Sequence, residues 1–241
     1  MYKRQTITFA RDGRLVARLH YYATHPQSFY GDPRASYDFV GMARERLEQE
    51  EGAFQVYFTG CAGNVAAGKY NDGTPEARQG LYERIYAAMR ASCAAPVFAP
   101  VSGIRWTTAE FPLSVREDPG DTEADSRAQM ADVNKPDSVR TGAAMNLAYR
   151  LRSARPIEVS ALHMGNVHIA HLPGEPMVEY QLFAKEQRAS EFVAVSGYGD
   201  CAPGYICTAS AYDEGGYEPT ASLLRPDSEG PFREAIRQLL A

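Results

Sequence analysis

A histidine in Ala23-Thr24-His25-Pro26, a glutamate in Pro173-Gly174-Glu175-Pro176 and a tyrosine-bearing loop from Gly204 to Glu218 are the places where this sequence could do chemistry. Imidazole nitrogen and carboxylate oxygen both suit zinc. A phenol can bind a metal as phenolate or donate a hydrogen bond to an oxyanion. Each position also has an ordinary reading. His25 has no second histidine four residues on, so taken alone it reads first as a structural histidine. Glu175, read as lying just ahead of a helix, would feel the positive end of the helix dipole, which keeps a carboxylate ionised as a metal ligand must be. It could equally be a plain helix cap, although Asp, Ser, Thr and Asn are the preferred caps. Tyr205, Tyr212 and Tyr217 stand among glycines, where they suit either an aromatic surface for a sugar or lipid, or phenols serving a site.

The elements that must position these residues can be read from pattern. Gln5 to Ala10, the turn Arg11-Asp12-Gly13-Arg14 and Leu15 to Tyr22 form a hairpin, because Asp-Gly supplies the positive φ such a turn needs. The second strand delivers His25 at its end. Phe39, Val40, Ala43 and Leu47 fall at helical spacing after Ser36, and Phe54 to Phe58 is an apolar run of strand type. That run leads into the small-residue loop Thr59-Gly60-Cys61-Ala62-Gly63-Asn64-Val65. Thr74 as N-cap and Pro75 at the first helical position start a helix whose buried stripe is Leu81, Ile85, Ala88 and Met89.

Val101 to Val115 reads as one or two strands. Arg116 to Arg140 is acidic, carries prolines and lacks large apolar groups, as a surface excursion covering or flanking the site would. Ile157 to His163, a Met164-Gly165-Asn166 turn and Val167 to Leu172 form a second hairpin, followed by a helix from Met177. Phe192 to Val195 is a last buried strand, Tyr205 and Tyr217 fall in a loop running to Pro219, and a terminal helix begins near Pro231. The expected fold class is α/β: one domain with a mixed sheet, βα units, hairpins and flanking helices. The chemically interesting loops follow strands, where α/β sheets build their sites.

Composition narrows the function classes. The 241 residues are 44% hydrophobic and 23% charged, enough for a globular core. A formal charge of -5 with scattered Lys and Arg leaves no basic stripe for phosphates, so no nucleic-acid partner is expected. No apolar run approaches the roughly 20 residues of a membrane span, and the polar start from Met1 to Gln5 is not followed by a signal-peptide core. As written, the sequence implies a cytoplasmic protein. Four irregularly spaced cysteines make neither a disulfide framework nor a zinc ribbon; at least two are expected as buried thiols, with Cys201 and Cys207 as the one pair that could close a loop.

Taken in order, Tyr22-Ala23-Thr24-His25-Pro26, Gly60-Cys61-Ala62-Gly63-Asn64, Leu172-Pro173-Gly174-Glu175-Pro176 and Tyr205-Ile206-Cys207-Thr208 with Tyr217 twelve residues after Tyr205 resemble the neutral/alkaline, non-lysosomal ceramidase family. The likeness runs through nearly the whole chain, although each motif is short. It implies that His25, Glu175 and Tyr205 are zinc ligands, that Tyr217 is the phenol donating to the developing oxyanion, and that Gly63 and Asn64 line the substrate. It also implies N-deacylation, the cleavage of a fatty-acyl amide.

The family has one more histidine ligand, in a His-x-His segment upstream of the counterpart of His25, and a C-terminal sandwich domain. This sequence contains neither. His171, four residues before Glu175, is the one other histidine placed near the metal by this reading; it is not taken as a ligand. The expectation is therefore a ceramidase-like catalytic region over residues 1–241, incomplete on its N-terminal side, acting on a small N-acyl or lipid substrate. Its alternatives are a non-catalytic relative that binds a glycan or lipid, or a chain whose site is completed by a second chain or by self-association.

Overall fold

Asp12 and Gly13, at φ of 50° and 75°, turn the chain between β1 (Gln5–Arg11) and β2 (Arg14–Tyr22), an antiparallel pair. The path then crosses through α1 (Asp38–Glu51) to β3 (Phe54–Thr59), which lies parallel to β2. Asp38 accepts hydrogen bonds from the amide and hydroxyl of Ser28 and from its neighbour Phe39, tying the segment after His25 to the start of α1. In α2 (Pro75–Ser92) the Thr74 hydroxyl accepts the Ala77 amide at 3.2 Å, and Pro75 occupies the first turn. Both helices cover one face of this three-stranded sheet, burying Phe39, Val40, Leu47, Leu81, Ile85 and Met89 against Tyr22 and Tyr57. The computed structural model describes residues 4–29, 31–101, 103–112, 114–199 and 203–241.

A second sheet is built from β4 (Ile104–Phe111), β5 (Ile157–Met164), β6 (Val167–Pro173) and, beyond the two-residue strand β7 (Glu175–Pro176), β8 (Phe192–Gly199), in the order β4-β5-β6-β8. β5 and β6 form the expected hairpin, and β6 runs parallel to β8 through the crossover helix α5 (Val178–Gln187). One face of this sheet meets the first sheet, with Ile169 and Ala194 against Ile7 and Tyr21. Its other face is covered by α5 and by α8 (Glu229–Leu239), and Phe232 of α8 sits with its ring 4.8 Å from Phe111 and 4.7 Å from Tyr180. The result is four layers, helix, sheet, sheet, helix, with the β4 edge of the second sheet left exposed on one face.

Several expectations need correction. Arg116 to Arg140, read as a surface excursion, does run over the surface but is not irregular: it contains α3 (Glu123–Ala131) and the start of α4 (Asp137–Arg152). A reciprocal capping box between Thr122 and Asp125 starts α3 without apolar help, and α4 buries only a narrow stripe through Ala143, Leu147 and Tyr149. The segment after β8 is likewise not a plain loop: it holds β9 (Tyr205–Ile206), α6 (Ala209–Glu214) and α7 (Tyr217–Ala221). The terminal helix begins at Glu229, with Pro231 accommodated in its first turn. Cys61, Cys93 and Cys207 are buried free thiols; Cys201 lies outside the described residues.

Two buried histidines give the fold a pH dependence. His20 of β2 contacts Thr6 and Gln55, and burial holds its pKa below the ordinary value. His163 of β5 is held down by burial first and by Arg105 next, with His168 and Arg188 adding to the effect. A depressed folded-state pKa means the unfolded chain takes up protons first as pH falls, so stability declines once pH drops below about 6.5. The melting temperature is expected to fall on acidification through that value, and a His163→Gln variant to lose part of the decline. A profile identical to wild type would remove His163 from this account.

Candidate active site

The carboxyl ends of β2, β3, β6 and β8 come together, and each hands its following residues to one shared edge of the molecule. The amide of Gly60 donates to Tyr22 at 3.0 Å and that of His25 to Val65 at 2.9 Å, so the loop after β3 runs on beside the extension of β2. The Gly63 amide donates to Pro176 at 2.9 Å, locking this loop to β7. A Cβ at position 63 would lie 2.4 Å from the Glu175 carbonyl oxygen, which is why glycine stands there. β7 pairs in parallel with β9, setting Glu175 directly opposite Tyr205.

His25 and Glu175, 150 residues apart in the chain, meet with Nε2 and Oε2 2.9 Å from each other. The other ring nitrogen, Nδ1, faces the Val65 carbonyl at 3.2 Å. The Val65 carbonyl and the Glu175 carboxylate both only accept, so a proton on Nδ1 serves Val65 and a proton on Nε2 serves Glu175. With the proton on Nδ1, a nitrogen lone pair faces a carboxylate, and a metal cation between them would satisfy both. A backbone carbonyl fixing the tautomer behind a ligating imidazole is the usual support of a metal-bound histidine.

The third expected ligand, Tyr205, is half-buried. Burial, and then the Glu175 carboxylate, push its phenol up to about 12. A bound cation would reverse the carboxylate's influence and favour the phenolate. Among the described residues no three His, Cys, Asp or Glu side chains cluster to hold a metal, and the expected ligands would supply one imidazole, one carboxylate and one phenol. Those three donor types fit zinc.

The remaining expected residues occupy definite places. Glu175 belongs to β7 and not to a helix N-terminus: α5 begins three residues later, at Val178. Tyr217 is 70% exposed and packs edge-on against Tyr205, with ring centroids 5.9 Å apart. Asn64 accepts the Val178 amide at 2.9 Å and donates to Glu179 at 3.0 Å, so it caps α5 beside the site. His171 stacks on Trp106 at 5.4 Å. Sequence reasoning passed over Tyr198, at the end of β8, whose hydroxyl lies 3.1 Å from Nε2 and 3.5 Å from Nδ1 of His25. Its place in Gly197-Tyr198-Gly199 after a strand was the available signal.

No protein-family model matches the sequence, and no curated protein matches it. Among solved structures the chain is similar to a ceramidase complexed with C2, at 14% identity and a TM-score of 0.67, covering 98% of this chain and 47% of that one. It is also similar to the neutral ceramidase from Pseudomonas aeruginosa, at 13% identity and a TM-score of 0.64, covering 98% of this chain and 45% of that one. The fold is thus that of part of a neutral ceramidase, and the chain spans about half the length of the structures it matches.

Proposed function

We propose that this chain carries the ligand-bearing part of a zinc-dependent hydrolase that cleaves the amide bond of an N-acyl substrate. The observation that carries the reading is His25, with the Val65 carbonyl 3.2 Å behind its Nδ1 and its Nε2 2.9 Å from the Glu175 carboxylate. In this reading His25, Glu175 and Tyr205 hold the metal. Zinc at such a site lowers the pKa of water to about 7 and polarises a carbonyl, the two contributions hydrolysis of an amide needs.

The chain's own groups do the rest. The Val65 carbonyl keeps the imidazole in one orientation. Tyr217, solvent-accessible and resting on Tyr205, donates a hydrogen bond to the oxygen that gains charge as the carbonyl is attacked. The Gly63-Asn64 loop forms the substrate-facing wall, with Gly63 keeping that wall close to Glu175.

Incubation of the zinc-loaded protein with N-acyl amides of graded chain length is expected to release fatty acid. Release should stop on chelation and return with zinc. Stoichiometrically loaded protein that hydrolyses none of the series overturns the reading for this chain alone.

A second reading, completion of the site by another chain, is favoured by the edge strand β4. Its Ile104 and Trp106 are 69% and 57% exposed, although their face of the sheet is otherwise covered by the first sheet. Sedimentation showing self-association of the purified chain would support it, and a monomer active on amides would exclude it.

A further inference from the structure

Tyr198 is the one aromatic side chain at the site held in a left-handed backbone conformation, with φ of 60°. For a bulky residue that conformation is costly and persists only where its surroundings enforce it. Here the amide of Tyr198 donates to the Gly174 carbonyl at 2.7 Å, beside Glu175. The neighbouring glycines clear the way: a Cβ at Gly197 would stand 2.9 Å from the Gly60 carbonyl oxygen, and one at Gly199 would stand 2.9 Å from that of Leu172. The two backbone contacts and the strained φ turn the ring out of the strand and toward His25.

The position of the hydroxyl is informative. A partner on the lone-pair axis of Nε2 would lie far from Nδ1, yet the Tyr198 oxygen is almost as close to Nδ1, at 3.5 Å, as to Nε2, at 3.1 Å. It therefore sits over the face of the imidazole, and the two rings are nearly perpendicular at 89° with centroids 5.7 Å apart. Such a phenol stands off the Nε2 axis, and its rotatable O–H lies within reach of a group bound next to Nε2. Tyr198 is 38% exposed, so its hydroxyl end is reachable from solvent.

We infer that Tyr198 is a substrate-contacting residue whose hydroxyl donates a hydrogen bond to the carbonyl oxygen of the bound amide. The inference rests on the zinc reading above. It adds a donor to the one expected from Tyr217 and places it on the opposite partner of the ligand set, over His25 instead of against Tyr205.

Acetohydroxamate, a zinc-binding amide analogue, is the probe. Titrated into zinc-loaded wild-type protein, it is expected to bind, and Tyr198→Phe to weaken it about tenfold, the order of one lost hydrogen bond. Zinc content should stay unchanged, since phenylalanine keeps the ring over His25. Equal hydroxamate affinity in zinc-loaded wild type and variant overturns the inference and leaves the zinc reading intact. Loss of zinc in the folded variant also overturns it, because Tyr198 would then support the metal and not its ligand. Wild-type protein that takes up no zinc overturns the metal reading, and this inference with it.

Discussion

Replacing His25 with alanine is expected to abolish zinc uptake while leaving the protein folded. His25 lies at the edge of the molecule and not in any of the apolar clusters, so its loss opens no core cavity. The consequence for metal is large because the proposed site has three donors, and removing one of three exceeds the roughly 10–100-fold cost of losing a supporting partner behind a ligand. Calorimetry provides a second readout. A ligand that binds only the native state stabilises it by about 2.7 kcal/mol at 100 times its dissociation constant, so wild type should melt higher in excess zinc and His25→Ala should not. Glu175→Ala should behave alike. Equal zinc-induced shifts in wild type and both variants would mean that the metal binds elsewhere.

The second large effect is expected at Gly174, which joins β6 to β7 at φ of 59°. A side chain there would stand 2.6 Å from the Gly204 carbonyl oxygen and 2.6 Å from Pro203 Cγ. Left-handed backbone costs a non-glycine residue roughly 1–2 kcal/mol and overpacking about 1–3 kcal/mol. Gly174→Ala should therefore lose on the order of 2–5 kcal/mol in urea denaturation. Relief of the clash pushes β7 off β9 and parts Glu175 from Tyr205, so zinc affinity should drop as well. A variant with wild-type stability and zinc affinity would show that the β7–β9 pairing does not set the ligand geometry.

The βα units and both hairpins were legible because their signals are local: Asp12-Gly13 at a turn, Thr74-Pro75 at a helix start, apolar spacing in α1 and α2. The face-to-face packing of two sheets was not, since it depends on contacts such as Tyr21 with Ile169 and Ala194 that join distant parts of the chain. α3 and α4 escaped notice for a different reason. Their helical character comes from a capping box and from long solvated faces, and neither leaves an apolar stripe wide enough to read.

At the site, the ordered motifs pointed to residues that do meet: His25 with Glu175, and Glu175 with Tyr205 on paired strands. Asn64 was legible as a residue of the site loop but not as the cap of α5, because its partner Val178 is 114 positions away. Tyr198 was passed over because its significance lies in a backbone angle and in a contact with Gly174, and its flanking glycines after a strand were the one local hint.

Diffraction at the zinc absorption edge from zinc-soaked crystals tests the central claim most directly. The account predicts one anomalous peak about 2.0–2.2 Å from both His25 Nε2 and a Glu175 carboxylate oxygen, with the Tyr205 phenol turned toward it. A zinc-saturated crystal without that peak, with His25 and Glu175 still joined directly at 2.9 Å, would contradict the account: the pair would then be a structural ion pair and not a metal site.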